Sequence, residues 1–470
     1  MVFLFLFLFV TACSDKNQTT PEQTGTPFHR DLDQIKKDGK LRVLIAYNST
    51  SYFLYRGKAM GYEYELVKRL ADHLHLKLEL HVSKNMDSLI NELNRGKADL
   101  LAYGLTITTD RKKKVKFTDY LYLTHQVLIQ KKPNHWRKMR WAAIQKSLIH
   151  DPIELIGDTV SVRENTSYFK RIQNLSKEMG GKIYIDTLKG NISTDKIIKM
   201  VVDGNIKYTV ADDNLAKINA SYYPILDIDV PISFSQRVAW AVRPNSPQLL
   251  AAINQWIKQE RKETDYYVIY NKYFKNRRDF RKRVKSDFYS LNKNRISKYD
   301  SIIKKNAKKI HWDWRLLASQ IYQESQFKPK ASSWAGAQGL MQLTPETAEE
   351  LGVENIHNAA ENVAAGTNYL QQLEENFMDV EDSIQRIKFT LAAFNCGYSH
   401  VTDAQNLAEE RGLDSDRWDG NVEKMILALS YPENYQDDAV KFGYVRGIEP
   451  YTYVRQIFDR YNHYKNFIKR

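Results

Sequence analysis

Only two cysteines, Cys13 and Cys396, occur in the 470 residues, too few for a disulfide framework. Apolar runs are short as well. Val2 to Val10 holds nine apolar residues in succession, against about 20 for a spanning helix. With an ordinary composition of 43% hydrophobic, 12% aromatic and 27% charged residues, this excludes a polytopic membrane protein, a collagen repeat and wholesale disorder. No ordered His, Asp and Glu cluster has metal-ligand spacing, and Gly180-Gly181-Lys182 lacks the rest of a phosphate loop. Neither a metal nor an organic cofactor is expected. Positive charge, by contrast, is plentiful. There are 70 Lys and Arg against 56 Asp and Glu, a net +14, which suits a polyanion such as nucleic acid, an anionic membrane surface or an acidic wall polymer. No nucleic-acid reading motif accompanies that charge, so a nucleic-acid partner is not expected. The length fits roughly three units at about 150 residues each.

Val2 to Val10 suits the apolar region of a secretory signal. It leads into Val10-Thr11-Ala12-Cys13, which resembles the lipobox of bacterial lipoproteins. The resemblance implies that residues 1–12 are a lipoprotein signal peptide and that Cys13 is acylated. Ser14 after the cysteine fits sorting to the outer membrane, and residues 13–30 read as a polar tether. A lipid-anchored protein on the periplasmic face of the outer membrane is expected.

Beyond the tether, periods alternate. Leu41 to Ala46 is a short apolar run that predicts a buried strand. Leu66, Leu70 and Leu74 mark one helix face. Leu76 to Val82 alternates as a half-buried strand does, Leu89 and Leu93 mark another helix, and Ala98 to Ala102 another strand. Strand-helix-strand order predicts an α/β parallel sheet.

Four blocks within this stretch are informative: Gly39-Lys40-Leu41-Arg42-Val43, Gly61-Tyr62-Glu63-Tyr64-Glu65-Leu66, Leu93 to Asp99, and Thr106-Ile107-Thr108-Thr109-Asp110-Arg111. Followed by Ala211-Asp212 and by Val238 to Pro244, they resemble the family 3 periplasmic solute-binding proteins over residues 31–275. That family folds as two α/β lobes around a cleft. The resemblance implies that Arg111 grips a ligand carboxylate with its planar fork and that Asp212 takes an ammonium. On its own residues, Arg111 reads equally as a solvated charge, and Asp212 as a helix cap. Residues 276–295 carry a dense basic run, Asn276 to Lys285, and no apolar periodicity, which predicts a basic linker. It would be a solvated connector or a footing on anionic lipid or wall polymer.

Residues 296–470 have helical texture. Trp314, Leu317, Ile321 and Glu324 fall on one stripe. Three members are apolar, and the fourth is a carboxyl placed at a helix C-terminus, where both low dielectric and the dipole raise its pKa. A carboxyl held protonated near neutrality is what a general acid requires. Phe327 and Pro329 are expected to end the helix. The run Ile321 to Pro345 contains Glu324-Ser325, the turn Ser333-Trp334-Ala335-Gly336-Ala337-Gln338-Gly339-Leu340-Met341-Gln342, and Thr344-Pro345. It resembles the signature of soluble-lytic-transglycosylase, goose-lysozyme-like domains almost throughout. Gly336 and Gly339 would let a loop backbone approach a sugar, and Gln342 would offer substrate a donor and an acceptor.

Ala392-Ala393-Phe394-Asn395-Cys396-Gly397 resembles that family's Ala-Tyr-Asn-x-Gly block, with Phe394 where tyrosine is usual. Glu449-Pro450-Tyr451-Thr452-Tyr453-Val454 resembles its closing block, with proline for threonine and one residue more before Tyr453. The resemblance implies a catalytic Glu324 and substrate contacts from Ser325, Ser333, Gln342, Phe394, Asn395, Glu449 and Tyr453. A two-lobed α/β solute-binding unit followed by a mainly α lysozyme-like unit is therefore expected. In this order the parts resemble membrane-bound lytic transglycosylases over nearly the whole chain. That implies a peptidoglycan substrate, cut between N-acetylmuramic acid and N-acetylglucosamine with a 1,6-anhydro product. It also implies wall peptides or amino acids as ligands of the first unit. Two other readings stay open on sequence: a hydrolytic muramidase on the same fold, and a non-catalytic wall-binding sensor.

Overall fold

A computed structural model describes residues 28–83, 88–190, 192–291 and 293–469; Cys13 and the apolar run before it lie outside them. The first unit is built on two large sheets. Strands Lys77–Ser83, Lys40–Ala46, Leu100–Thr106, Gln236–Val242 and Lys116–Phe117 lie side by side in that order, and Tyr122–Thr124 also pairs with Gln236–Val242. The first three run parallel; the returning strand Gln236–Val242 is antiparallel. The second sheet runs Tyr184–Leu188, Thr159–Arg163, Tyr208–Asp212, Gln126–Lys131, Leu226–Asp227. The chain thus crosses between lobes once after Thr124 and again before Gln236. Local sequence explains the elements. Leu41 and Val43 to Ala46 are buried in the strand, and helix Tyr62–His73 buries Leu66 and Leu70 of the expected stripe together with Tyr62 and Val67, while Leu74 is its half-buried cap.

Residues 276–295 are not a bare linker. Arg277–Val284 is a helix with Phe280 and Arg283 buried, and Tyr289 joins the first unit's core. The apolar period is hidden because the residue completing the buried stripe is an arginine. Its guanidinium lies over the rings of Phe53, Tyr273 and Phe280 at 5.6, 5.7 and 5.9 Å, the aromatic setting that tolerates a buried cation. Arg277, Arg278, Arg281, Lys282 and Lys285 remain exposed.

The second unit is helical around one core that includes Leu317, Ile321, Leu370, Phe389, Trp418, Val454 and Ile457. Helix Trp314–Ser325 packs centrally, against Ile448–Phe467 and Asp300–Lys309. Its start is fixed by Asp313, whose carboxylate accepts from the Arg315 backbone N–H at 2.9 Å. Its end is set by Phe327 as expected, with Gln326 in place of Pro329 as the second residue. Ser325 is the last helical residue, and Gln326 and Phe327 follow with φ of 51° and 61°. These two left-handed residues turn the chain away before Pro329 is reached.

The two units share a surface. A hairpin of the first, Phe53–Tyr55 and Lys58–Met60, reaches the second, and Leu54 is part of the helical core. Tyr52 is hydrogen-bonded to Nδ1 of His463, and the Tyr47 and Tyr52 rings each lie 4.7 Å from Phe467.

Candidate functional site

Glu324 sits on the last turn of Trp314–Ser325, half-buried among apolar neighbours of its stripe. Burial pushes its carboxyl up to about 7, and the Tyr453 hydroxyl, which donates to Oε1, opposes that rise. Tyr453 comes from the last helix, Ile448–Phe467, and is itself buried. Its hydroxyl also accepts from Nε2 of Gln320 at 3.2 Å. The structure therefore brings Glu324 and Tyr453 together, and adds Gln320. Sequence reasoning missed Gln320, although its place four residues before Glu324 puts both on one face.

Ser325 was expected among the substrate contacts, and the structure turns it inward. It is buried, and its hydroxyl lies 2.7 Å from the Leu340 carbonyl and 3.1 Å from that of Ile321. It fastens the catalytic helix to the loop 331–343. Ser333 closes a turn in that loop, its hydroxyl accepting from the Ala337 N–H at 3.0 Å. Gln342 has a φ of 51°, and its Nε2 donates to the carbonyls of Ala331 at 3.1 Å and Gly339 at 2.9 Å. Its donors are committed to the loop, so only the amide oxygen is left for substrate. The glycines divide. A Cβ at Gly336 would meet nothing within 4 Å, whereas one at Gly339 would lie 2.1 Å from Nδ2 of Asn362 and 2.6 Å from the Ile356 carbonyl. Gly339 is a packing requirement of the loop, not an opening for sugar.

Phe394 is half-buried, 5.5 Å from the Tyr369 ring, and packs against both the main core and the small cluster of Leu343 and Ala348. Asn395, next to it, is exposed. Glu449 departs from the expected role: it is exposed and ion-paired with Arg446 at 2.9 Å, a bond to its own helix start. The proline after it and the shifted spacing fit that departure. Trp334 is fully exposed at the tip of the Ser333 turn.

A second candidate site lies between the lobes. Arg111, Asp212, Glu63, Tyr103, Tyr168, Asp195 and Asn214 line one cavity. Arg111 donates to the Thr106 carbonyl at 2.9 Å, and its charge acts on Asp212 without a direct ion pair among the described residues. Asp212 occupies the N-cap position of helix Asp213–Tyr222, yet its side chain makes no capping bond. Instead Tyr168 donates to its Oδ2 at 3.1 Å, Oδ1 has no partner, and burial pushes the carboxyl up to about 6. Buried Glu63 is likewise raised, to about 7. Across the cleft, the Ser49 hydroxyl of the first lobe donates to Oδ2 of Asp195 in the second at 2.6 Å. Cys13 lies outside the described residues. Cys396 is half-buried, and burial pushes its thiol up to about 12.

Residues 41–276 match the family model for bacterial extracellular solute-binding proteins, family 3, and residues 301–415 match the transglycosylase SLT domain. The second match stops before Tyr453, which the fold alone brings to Glu324. An ancestral arginine-binding protein bound to arginine is among the similar solved structures (25% identity, 50% of this chain and 98% of that chain, TM-score 0.42). Among curated relatives, a protein of Desulfosudis oleivorans named membrane-bound lytic murein transglycosylase F is 35% identical over 431 residues, 92% of this chain and 91% of its own. A Pseudomonas putida protein of the same name is 30% identical over 460 residues, 97% of this chain and 89% of its own. With both domain families in the same order and a relative this similar along nine-tenths of both lengths, the chain belongs to the membrane-bound lytic murein transglycosylase F family.

Proposed function

We propose that this chain is a lytic transglycosylase that cuts the β-1,4 bond between N-acetylmuramic acid and N-acetylglucosamine in peptidoglycan. The observation that carries this reading is the Tyr453–Glu324 pair: a carboxyl raised to about 7 by burial, with one oxygen held by a tyrosine hydroxyl. Such a group is protonated in a useful fraction near neutrality and can act first as acid and then as base. In this reading the sugar's own acetamide takes the place of a second carboxylate.

Glu324 gives its proton to the glycosidic oxygen as the C1–O bond breaks, and N-acetylglucosamine leaves as the alcohol. The 2-acetamido group of the muramic residue stabilises the cationic C1. The Glu324 carboxylate then takes the proton of the C6 hydroxyl while O6 bonds to C1. A 1,6-anhydro ring results, no water is consumed, and the acid is restored. Asn395, exposed beside Phe394, and the Gln342 oxygen orient acetamides in this reading. The +14 net charge favours an anionic strand. Mass spectrometry of digested peptidoglycan tests it: anhydromuramic ends are expected, and reducing ends would identify a hydrolytic muramidase instead.

The first unit acts as a regulatory ligand-binding domain for an amino acid or wall peptide. Arg111 grips the carboxylate, and Asp212, with its free oxygen, takes the ammonium. The protein is periplasmic and membrane-associated, held at the outer membrane by lipid on Cys13. The lipobox-like Val10 to Cys13 supports that anchor. No helix among the described residues is long and apolar enough to cross a membrane.

A further inference from the structure

Gln320 is fully buried, one turn before Glu324 on the helix Trp314–Ser325. Its Nε2 donates to the Tyr453 hydroxyl at 3.2 Å, the same hydroxyl donates to Oε1 of Glu324, and its own Oε1 has no hydrogen-bond partner. We propose that Gln320 is a positioning residue: by donating to Tyr453 it commits that hydroxyl's single proton to Oε1 of Glu324, leaving Oε2 as the oxygen that carries the transferable proton. This rests on the transglycosylase reading of Glu324.

A phenol has one proton to donate and lone pairs to accept with. Were the amide to present its oxygen instead, Tyr453 would face two acceptors with one proton and could turn away from Glu324. With nitrogen presented, the chain has one consistent direction, from Gln320 through Tyr453 to Glu324. The orphaned amide oxygen supports this. A buried polar atom without a partner is a cost that a leucine of similar volume would not carry. The bond to Tyr453 is what the amide contributes in return. Because Oε1 is occupied by a donor, the proton resides on Oε2. It leaves from Oε2 to the glycosidic oxygen, and Oε2 takes up the C6 hydroxyl proton as O6 bonds to C1.

Few other groups complicate the titration. Tyr453 is the titratable side chain hydrogen-bonded to Glu324. Arg460, on the same helix as Tyr453, is turned to Oε1 of Gln323 at 3.1 Å, the Ser319 carbonyl at 3.2 Å and the Tyr322 ring.

The test compares Gln320→Leu, Tyr453→Phe and the double variant, reading anhydro-product release by the full chain across pH. Gln320→Leu is expected to lower kcat/KM about three- to tenfold, mostly in kcat. It should also move the alkaline limb upward, because a hydroxyl free to rotate supports the carboxylate less. In the Tyr453→Phe background the leucine should add nothing, since Gln320 acts only through the hydroxyl. Additive losses in the double variant, or an alkaline limb at its wild-type position in Gln320→Leu, would overturn the proposal. Should the leucine variant fail to fold, Gln320→Met, which keeps the length of the side chain and removes the donor without adding charge, replaces it. The limb should shift in the same direction; an unshifted limb overturns the proposal equally. Reducing-end products from the wild type would sink the transglycosylase reading while leaving the pH comparison of Gln320 intact.

Discussion

The hydroxyl of Tyr464 donates to the carbonyl of Gly57 at 2.9 Å, tying the tip of the first unit's hairpin to the last helix of the second. Gly57 has a φ of 75°, and a Cβ there would lie 2.7 Å from that hydroxyl and 2.9 Å from the Phe327 and Tyr322 rings. Tyr322 and Phe327 flank Glu324 in the chain, and their rings meet edge to face at 5.7 Å. The residues 48–52 that lead into the hairpin include Asn48, Thr50 and Ser51 of the inter-lobe cavity. A single short stretch therefore lines the inter-lobe cavity and packs beside the residues that flank Glu324.

Gly57→Ala should destabilise the protein by about 1–3 kcal/mol, the usual cost of overpacking combined with a left-handed backbone that alanine disfavours. Because the strain falls on the shared surface, the wild type is expected to melt in one transition and the variant toward two. Differential scanning calorimetry reads this, and an unchanged profile would mean that the hairpin is not a structural tie.

Glu324→Gln keeps the volume, removes the transferable proton, and should fold with an unchanged melting profile. Turnover should fall by about 10²-fold or more. Near-normal release of anhydro products by this variant would remove Glu324 from the mechanism.

How much could be read from sequence depended on whether a residue's partner was local. Leu66 and Leu70 lie on a periodic stripe, and Glu324 lies in a long motif, so both were legible. Arg283 was not, since a buried cation interrupts the apolar period that reveals a packed helix, and part of its compensation comes from the ring of Phe53, far away in the chain. Ser325 and Gln342 carry the right chemistry for sugar, yet the Ser325 hydroxyl and the Gln342 donors are taken by the carbonyls of Leu340, Ala331 and Gly339. Motif matching gives residue types; it does not say which way a hydroxyl or an amide is turned. Glu63 and Asp195 enter the cleft for the same non-local reason, one from each lobe.

Activity should depend on pH through Glu324. Its carboxyl, raised to about 7 by burial, must be protonated to start the reaction, so kcat/KM should fall above about pH 7, roughly tenfold per unit. Stability has the same sign. Glu324, Glu63 and Asp212 all have folded values raised to about 6–7, above the ordinary carboxyl range near 4. The folded state thus binds more protons, and their contribution is full below about pH 4 and lost as pH rises through 6–7. Melting temperatures across pH 4–8 check the direction; a contribution from these groups that grows over that window would contradict the burial of these carboxyls.

Cys13→Ser with residues 1–12 retained should move the protein from the membrane fraction to the soluble periplasm, because acylation is the anchor proposed for it. If the variant still pellets with membranes, attachment must come from elsewhere, and the exposed basic face of Arg277–Val284 becomes the first segment to neutralise.

Arg111→Ala should weaken ligand binding by about 1.5–3 kcal/mol, the range for a hydrogen bond to a charged group. The side chain is tethered by one bond to the Thr106 carbonyl, and the charge of Asp212 acts on it without a direct ion pair among the described residues. Its remaining N–H groups are therefore available to a ligand carboxylate, and a planar fork can hold one with two parallel bonds. Asp212, on the second lobe, can engage the same ligand's ammonium only when the lobes are together, so the two contacts also favour the closed cleft. Titration calorimetry on the full chain, with free amino acids and with short wall peptides, measures both the affinity and its loss. If neither class binds the wild-type protein, the cleft is a structural spacer and the regulatory role falls with it. If binding survives Arg111→Ala undiminished, the carboxylate is gripped by another residue of the cavity.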